Sequence, residues 1–231
     1  MSSKYKGIIF DLDGTLIKST IDFVKMKQNM IKILEAEGIP KGILTPQITT
    51  VTILETSEKI WDESNKSETS RVKIRNQLDK VMDQGEIEAI SLVEEIDDTT
   101  SAIRRLHKMN YRLAILTRSH HEYAVEALKK LKIDQYFEPI LGRGQTPRPK
   151  PYKESLEHTA MLMDIPMDEL VFIGDHHIDY QTSINSGCNF IGVDTRSKRR
   201  DPWEGDPPEI LLKNVGALPD HLAKEKLTKT N

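Results

Sequence analysis

The densest chemistry in the sequence lies close to its start, in Asp11-Leu12-Asp13-Gly14-Thr15. Two carboxylates separated by one residue of extended chain fall on the same side. At that spacing they repel, and a bound divalent cation is the ordinary way to keep both ionised. Donors that are all oxygen favour Mg²⁺ over zinc. Gly14 permits a sharp exit from the run. An acidic turn after a strand is common, but four fixed residue types within five positions raise this one above that bland reading.

Other reactive side chains invite weaker readings. His120-His121 and His176-His177 each follow an apolar run. Adjacent histidines rarely chelate one ion together, so they are expected to contact substrate at a rim or to face solvent rather than to bind a soft metal. Cys188, the only cysteine, follows Gly187 and reads as a small core residue rather than a nucleophile.

The elements that must position these residues are short apolar runs. Gly7-Ile8-Ile9-Phe10 precedes Asp11, Leu113-Ala114-Ile115-Leu116 precedes Thr117, and Leu170-Val171-Phe172-Ile173 precedes Gly174-Asp175. Pro139-Ile140-Leu141 and Phe190-Ile191-Gly192-Val193 are weaker examples. Runs without alternation read as strands covered on both faces, as in a parallel sheet. Helical patterns lie between them: Tyr123, Ala127 and Leu131 share one face, and Leu156, Ala160 and Met163 another. The alternation predicts an α/β domain, a Rossmann-like parallel sheet with right-handed crossovers. Ligands of such sheets sit outside the carboxyl ends of the strands, so Asp11 and Asp13 are expected to line the crevice.

Residues 18–95 break the rhythm and are too long for a loop, which predicts an inserted helical subdomain. Phe23, Met26, Met30 and Leu34 form one helical face, ended by Gly38-Ile39-Pro40. Val72, Leu78, Met82 and Ile90 fit a second face, with Gly85 as a break, and the β-branched run Thr49-Thr50-Val51-Thr52-Ile53 argues against helix there. The core is accordingly assigned to 1–17 and 96–231. The run Arg196-Ser197-Lys198-Arg199-Arg200 reads as a solvated loop, and Ala223 to Asn231 as a polar, frayed end.

Composition bounds the function. With 33 Lys+Arg against 36 Asp+Glu and a net charge of −3, the chain is no nucleic-acid binder working by broad phosphate neutralisation. One cysteine excludes an intramolecular disulfide framework and points to the reducing cytoplasm. No apolar stretch approaches the ~20 residues of a membrane-spanning helix, and Gly7–Phe10 is too short for a signal peptide. A soluble cytoplasmic protein is expected, with no membrane partner and no signal for an oligomeric state.

Four motifs in order resemble the haloacid dehalogenase (HAD) superfamily, in its phosphatase branch with a helical cap, phosphoglycolate phosphatases being near relatives. Phe10-Asp11-Leu12-Asp13-Gly14-Thr15-Leu16 matches that family's first motif, Leu116-Thr117-Arg118 its second, Lys150-Pro151 its third and Gly174-Asp175-His176-His177-Ile178-Asp179 its fourth. Two departures stand out. For the third motif two frames compete, one with Arg148 and one with Lys150 as the cation. Lys150 is preferred, because a compact ammonium suits a point contact with phosphate. In the fourth, His176 stands where a small hydroxyl residue is common.

The resemblance implies a Mg²⁺-dependent phosphatase acting on a small phosphorylated metabolite, with residues 18–95 as the cap over the site. Asp11 is the implied nucleophile, forming an aspartyl-phosphate, and Asp13 the acid and then the base. Asp11, the backbone carbonyl of Asp13 and Asp175 would hold Mg²⁺, with Asp179 behind them. Thr117, the backbone N–H of Arg118, and Lys150 would hold phosphoryl oxygens. A phosphomutase of the same fold and a catalytically silent binding module are the alternatives. A dehalogenase is disfavoured, since that chemistry needs no metal and no acid–base group at the position of Asp13.

Overall fold

A computed structural model describes residues 4–18, 20–195 and 201–228. The basic run at 196–200 lies outside the described residues, as do 229–231. In chain order the elements are β1 (Gly7–Phe10), β2 (Ile17–Lys18), α1 (Phe23–Ala36), α2 (Thr50–Glu63), α3 (Glu68–Ile90), β3 (Glu94–Glu95), α4 (Thr99–Lys108) and β4 (Arg112–Leu116). There follow α5 (His121–Lys130), β5 (Phe137–Leu141), α6 (Glu154–Met163), β6 (Leu170–Gly174), α7 (His177–Ser186), β7 (Asn189–Val193), β8 (Leu211–Leu212) and α8 (Leu218–Thr228).

Six strands form one parallel sheet in the order β5-β4-β1-β6-β7-β8. The expected α/β, Rossmann-like architecture is the one observed. All four residues of β1 and all five of β6 are buried, which is why their sequences are apolar without alternation. From β1 the sheet grows outward through β4 and β5 on one side and through β6, β7 and β8 on the other. The reversal of strand order therefore falls at β1. Phe10 pairs in register with Ile115 on one side and Ile173 on the other, so the three central strands end nearly level. α6 sends Leu156, Ala160 and Met163 into a core shared with Ile9, Leu116 and Phe172. Cys188 joins that core, and burial pushes its thiol pKa up to about 12, far from a reactive thiolate.

The chain separates into two compact units, one of residues 1–19 and 92–231 and the other Thr20–Ser91. The two-stranded antiparallel ribbon of β2 and β3, tied by Lys18 and Glu94 at 2.9 Å, goes with the sheet. The insert consists of three helices, each started by a side-chain cap: Asp22 accepts from the Lys25 N–H, Thr49 from Thr52 and Ser67 from Ser70. Its core is Met26, Met30 and Leu34 from α1, Ile53 and Trp61 from α2, and Ile74, Leu78 and Met82 from α3.

Several local expectations differ from the structure. The β-branched run Thr49–Ile53 leads into α2 after all, because Thr49 caps the helix and Ile53 is buried. Phe23 and Val72 are exposed, and the buried face of α3 runs through Ile74, Leu78, Met82, Glu86 and Ala89. Gly85 lies inside α3 without breaking it; a helical glycine costs only about 1 kcal/mol relative to alanine. The C-terminal segment is helical to Thr228, anchored by buried Leu218 and Leu222 one turn apart. Among the described residues no helix is long and apolar enough to cross a membrane.

Candidate active site

Asp11 leaves the end of β1 with its N–H donating to the Ile173 carbonyl of β6 at 2.9 Å. The chain then closes a tight loop, in which the N–H groups of Thr15, Leu16 and Ile17 all point at the Leu12 carbonyl (3.3, 2.9 and 3.1 Å). Gly14 sits at φ +91°, and a Cβ there would stand 2.4 Å from Asp175 Oδ2. Glycine is thus required twice, for its backbone conformation and for the close approach of a carboxylate. Thr15 Oγ1 donates toward Asp175 Oδ1 at 3.2 Å and lies 3.5 Å from Asp11 Oδ2.

Asp175 follows β6 and Asp179 lies in the first turn of α7, one helical turn further on. A Cβ on Gly174 would meet the Asp179 Cβ at 2.4 Å, so this glycine lets α7 start hard against the strand end. Asp11, Asp175 and Asp179 are all buried, with one carboxylate oxygen of each within 4.8 Å of the others. The Lys150 ammonium, 3% exposed, donates to Asp11 Oδ1 and to Asp179 Oδ1, each at 2.6 Å. Burial raises the Asp11 pKa above the ordinary carboxylate value, against the pull of Lys150. For Lys150, burial opposes the charge, and the two carboxylates outweigh it, holding the ammonium's pKa above its usual value.

Of the two competing cations, Lys150 is the one that lies among these carboxylates. Arg148 lies outside them, stacked 3.2 Å from the Tyr152 ring centroid and 3.8 Å from Glu154.

Thr117 follows β4, and its N–H is bonded to the Leu141 carbonyl of β5 at 2.9 Å. Its hydroxyl oxygen accepts the Ser119 N–H at 3.1 Å. Arg118 is half-buried; burial lowers its pKa, opposed by attraction from Asp179 and Asp11. The carboxylate of Asp13 is bound apart from the other three. Ser119 Oγ donates to its Oδ2 at 2.8 Å and Tyr123 Oη to its Oδ1 at 3.0 Å.

Four side chains near these residues escape a reading of the sequence for motifs: Ser119, Tyr123, Arg143 and Thr195. Arg143 reaches the Arg118 carbonyl at 3.5 Å while its N–H donates to the Ser119 carbonyl at 2.8 Å. Thr195 donates to the Gly14 carbonyl. Tyr123 reads in sequence only as a core position of α5, and Ser119 is signalled by nothing but its nearness to Thr117. The histidine pairs prove to be helix starts. His120 Nδ1 accepts the Glu122 N–H and His176 Nδ1 the Ile178 N–H, each at 3.3 Å, capping α5 and α7. Among the described residues the carboxylates of Asp11, Asp175 and Asp179 form the only cluster able to hold a metal.

Comparison with known proteins gives concordant matches. The profile of the family described as Haloacid dehalogenase-like hydrolase matches residues 8–193. The chain is 26% identical over 220 residues to a protein named pyrophosphatase PpaX from Listeria innocua, covering 94% of this chain and 96% of that one. Among solved structures, one described as a predicted phosphoglycolate phosphatase from Haemophilus somnus superposes with a TM-score of 0.64 at 17% identity, covering 98% and 99% of the two chains. A hydrolase from Pseudomonas syringae does so with a TM-score of 0.66 at 21% identity, over 95% and 98%.

Proposed function

The chain belongs to the family of haloacid dehalogenase-like hydrolases, and from that premise we propose that it is a Mg²⁺-dependent phosphatase. Its substrate on this reading is a small organic phosphate monoester, hydrolysed through a phosphoryl group carried on Asp11. The observation that carries the reading is the buried set of three carboxylates, Asp11, Asp175 and Asp179, bridged by the Lys150 ammonium at 2.6 Å. Three buried carboxylates gathered in one place, with donors that are all oxygen, suit a hard divalent ion. Asp11, Asp175 and the backbone carbonyl of Asp13 would hold Mg²⁺. When bound, it would screen carboxylate from phosphate and offset charge on the phosphoryl oxygens.

The chain's own residues divide the reaction in two. In the first half an Asp11 oxygen attacks phosphorus as the ester P–O bond breaks, and Asp13 gives its proton to the leaving oxygen. In the second half Asp13 takes a proton from the attacking water, the bond from phosphorus to Asp11 breaks, and inorganic phosphate leaves. Lys150 donates to Asp11 and opposes the rise in its pKa that burial causes, and Asp179 holds Lys150. Because the Thr117 oxygen already accepts from Ser119, its proton is free for a phosphoryl oxygen, beside the backbone N–H of Arg118. The insert, residues 18–95, would select substrate as a cap, a role that rests on the family resemblance.

A second reading, hydrolysis of a phosphoanhydride, is favoured by the Listeria relative's name and by Arg118. Its guanidinium lies near enough to Asp11 and Asp179 to feel both, and it offers a second phosphate a planar fork of donors. One experiment tests both: phosphate release from a panel of monoesters and from pyrophosphate, with Mg²⁺ and then with EDTA. Release that needs Mg²⁺ is expected, and the preferred compound chooses between the readings. No release from any compound overturns both, and sugar-phosphate interconversion without release would mark a phosphomutase.

A further inference from the structure

Asp13 is held differently from the other three aspartates. Asp11 and Asp179 share the Lys150 ammonium, and Asp175 receives the Thr15 hydroxyl. Asp13 instead has an uncharged O–H on each carboxylate oxygen, Ser119 Oγ at 2.8 Å and Tyr123 Oη at 3.0 Å. Both donors are themselves fixed. Ser119 is buried, its N–H on the Thr117 hydroxyl (3.1 Å) and its carbonyl on the Arg143 N–H (2.8 Å). Tyr123 is among the largest fully buried side chains, planted in the first turn of α5. The backbone around Asp13 is equally constrained, since the Gly14 N–H closes the loop onto the Ile17 carbonyl at 2.8 Å.

We propose that Ser119 and Tyr123 are positioning residues for the phosphatase reaction, a two-point hydroxyl clamp that fixes the Asp13 carboxylate for proton transfer. The inference rests on the reading of Asp13 as the acid and base. A carboxylate with a free torsion samples orientations in which neither oxygen reaches the leaving group. Two rigid donors select one orientation in which the carboxylate is presented to the leaving oxygen or to water. A buried tyrosine hydroxyl needs a partner in any protein. Asp13, however, is only half-buried, so solvent could satisfy it, and the pairing of two hydroxyls on this one carboxylate is what a packing requirement leaves unexplained.

The test is a comparison of Tyr123→Phe, Ser119→Ala and Ser119→Thr with Asp13→Ala, assayed on an alkyl phosphate with Mg²⁺, together with thermal melting. Tyr123→Phe and Ser119→Ala should each lower kcat about tenfold with KM within a factor of two, because a displaced catalytic group loses rate rather than binding. Ser119→Thr, which keeps the hydroxyl, should recover most of the loss. Adding Tyr123→Phe to Asp13→Ala should lower kcat no further, since the clamp acts only through Asp13. A merely structural role would lower the melting temperature and leave kcat unmoved, or would give the same loss in the Asp13→Ala background; either result overturns the proposal. Wild-type turnover in Asp13→Ala alone would instead sink the acid–base reading on which it rests.

Discussion

The two units of this chain each carry a network of ion pairs, and the networks differ in kind. In the insert, Arg75 grips Glu58 through Nε and Nη2 (2.6 and 2.8 Å) and reaches Glu68 at 2.7 Å, while Arg71 pairs with Asp62 at 2.5 Å. Apart from Arg71 these groups are at least a third exposed, and they join α2 to α3. In the sheet unit, Lys150, Asp11 and Asp179 are buried with almost no solvent to share their charge. Exposed pairs contribute roughly 0.2–1 kcal/mol each, because water already serves the separated ions. Breaking a buried pair costs about 3–5 kcal/mol, since the remaining partner is left desolvated and unpaired. A fold that keeps such a cluster beside the ends of β1 and β6 carries a liability there. The proposed phosphoryl transfer is what gives that liability a use.

The comparison breaks first if the buried network is not catalytic. Asp11→Asn removes the nucleophile while keeping its shape, and should cut kcat by more than roughly 10³-fold with the fold intact by circular dichroism. Lys150→Met should destabilise the protein by about 3–5 kcal/mol in urea unfolding, as Asp11 and Asp179 lose their shared cation. Added Mg²⁺ should raise its melting temperature more than that of the wild type. Replacing Thr20–Ser91 with a short linker tests whether chemistry resides in the sheet unit alone. Activity on a generic aryl phosphate should survive better than activity on the preferred metabolite; equal loss on both would mean that the insert is needed for folding. The smallest effect is expected from Arg75→Ala, within about 1 kcal/mol in stability and without effect on kcat. A larger cost would show that the solvated network is more than a surface contact.

What the sequence conveys follows the same division. The sheet is legible because strands covered on both faces must be apolar throughout, as in Ile8-Ile9-Phe10 and Val171-Phe172-Ile173. Polar residues at the ends of those strands therefore stand out, and Asp11, Thr117 and Asp175 can be picked from their positions alone. Lys150 is harder, since it lies in the stretch between β5 and α6, where Arg148 competes and the preference for Lys150 rests on the character of its charge rather than on position. The insert is less legible because its faces mix residue types. The buried stripe of α3 includes Glu86 and Ala89, which no apolar periodicity selects, while Val72 is exposed. Ser119 and Tyr123 escape for a different reason. Their partner Asp13 lies 106 and 110 residues away in sequence, and no local pattern reports a contact that the crossovers create.

The central claim, that Asp11 carries the phosphoryl group while Asp13 moves the proton, is tested most directly by Asp13→Ala with p-nitrophenyl phosphate. Nitrophenolate leaves readily as an anion, so the first half-reaction needs little help from an acid. The second still needs a base, whose loss typically costs ~10²–10⁴-fold. Rapid-quench kinetics should show about one equivalent of nitrophenolate released per active site, followed by a stall. Intact-mass and peptide mapping should place one phosphoryl group on Asp11. Steady turnover near the wild-type rate with no phosphoenzyme, or a phosphoryl group on any other residue, would contradict it.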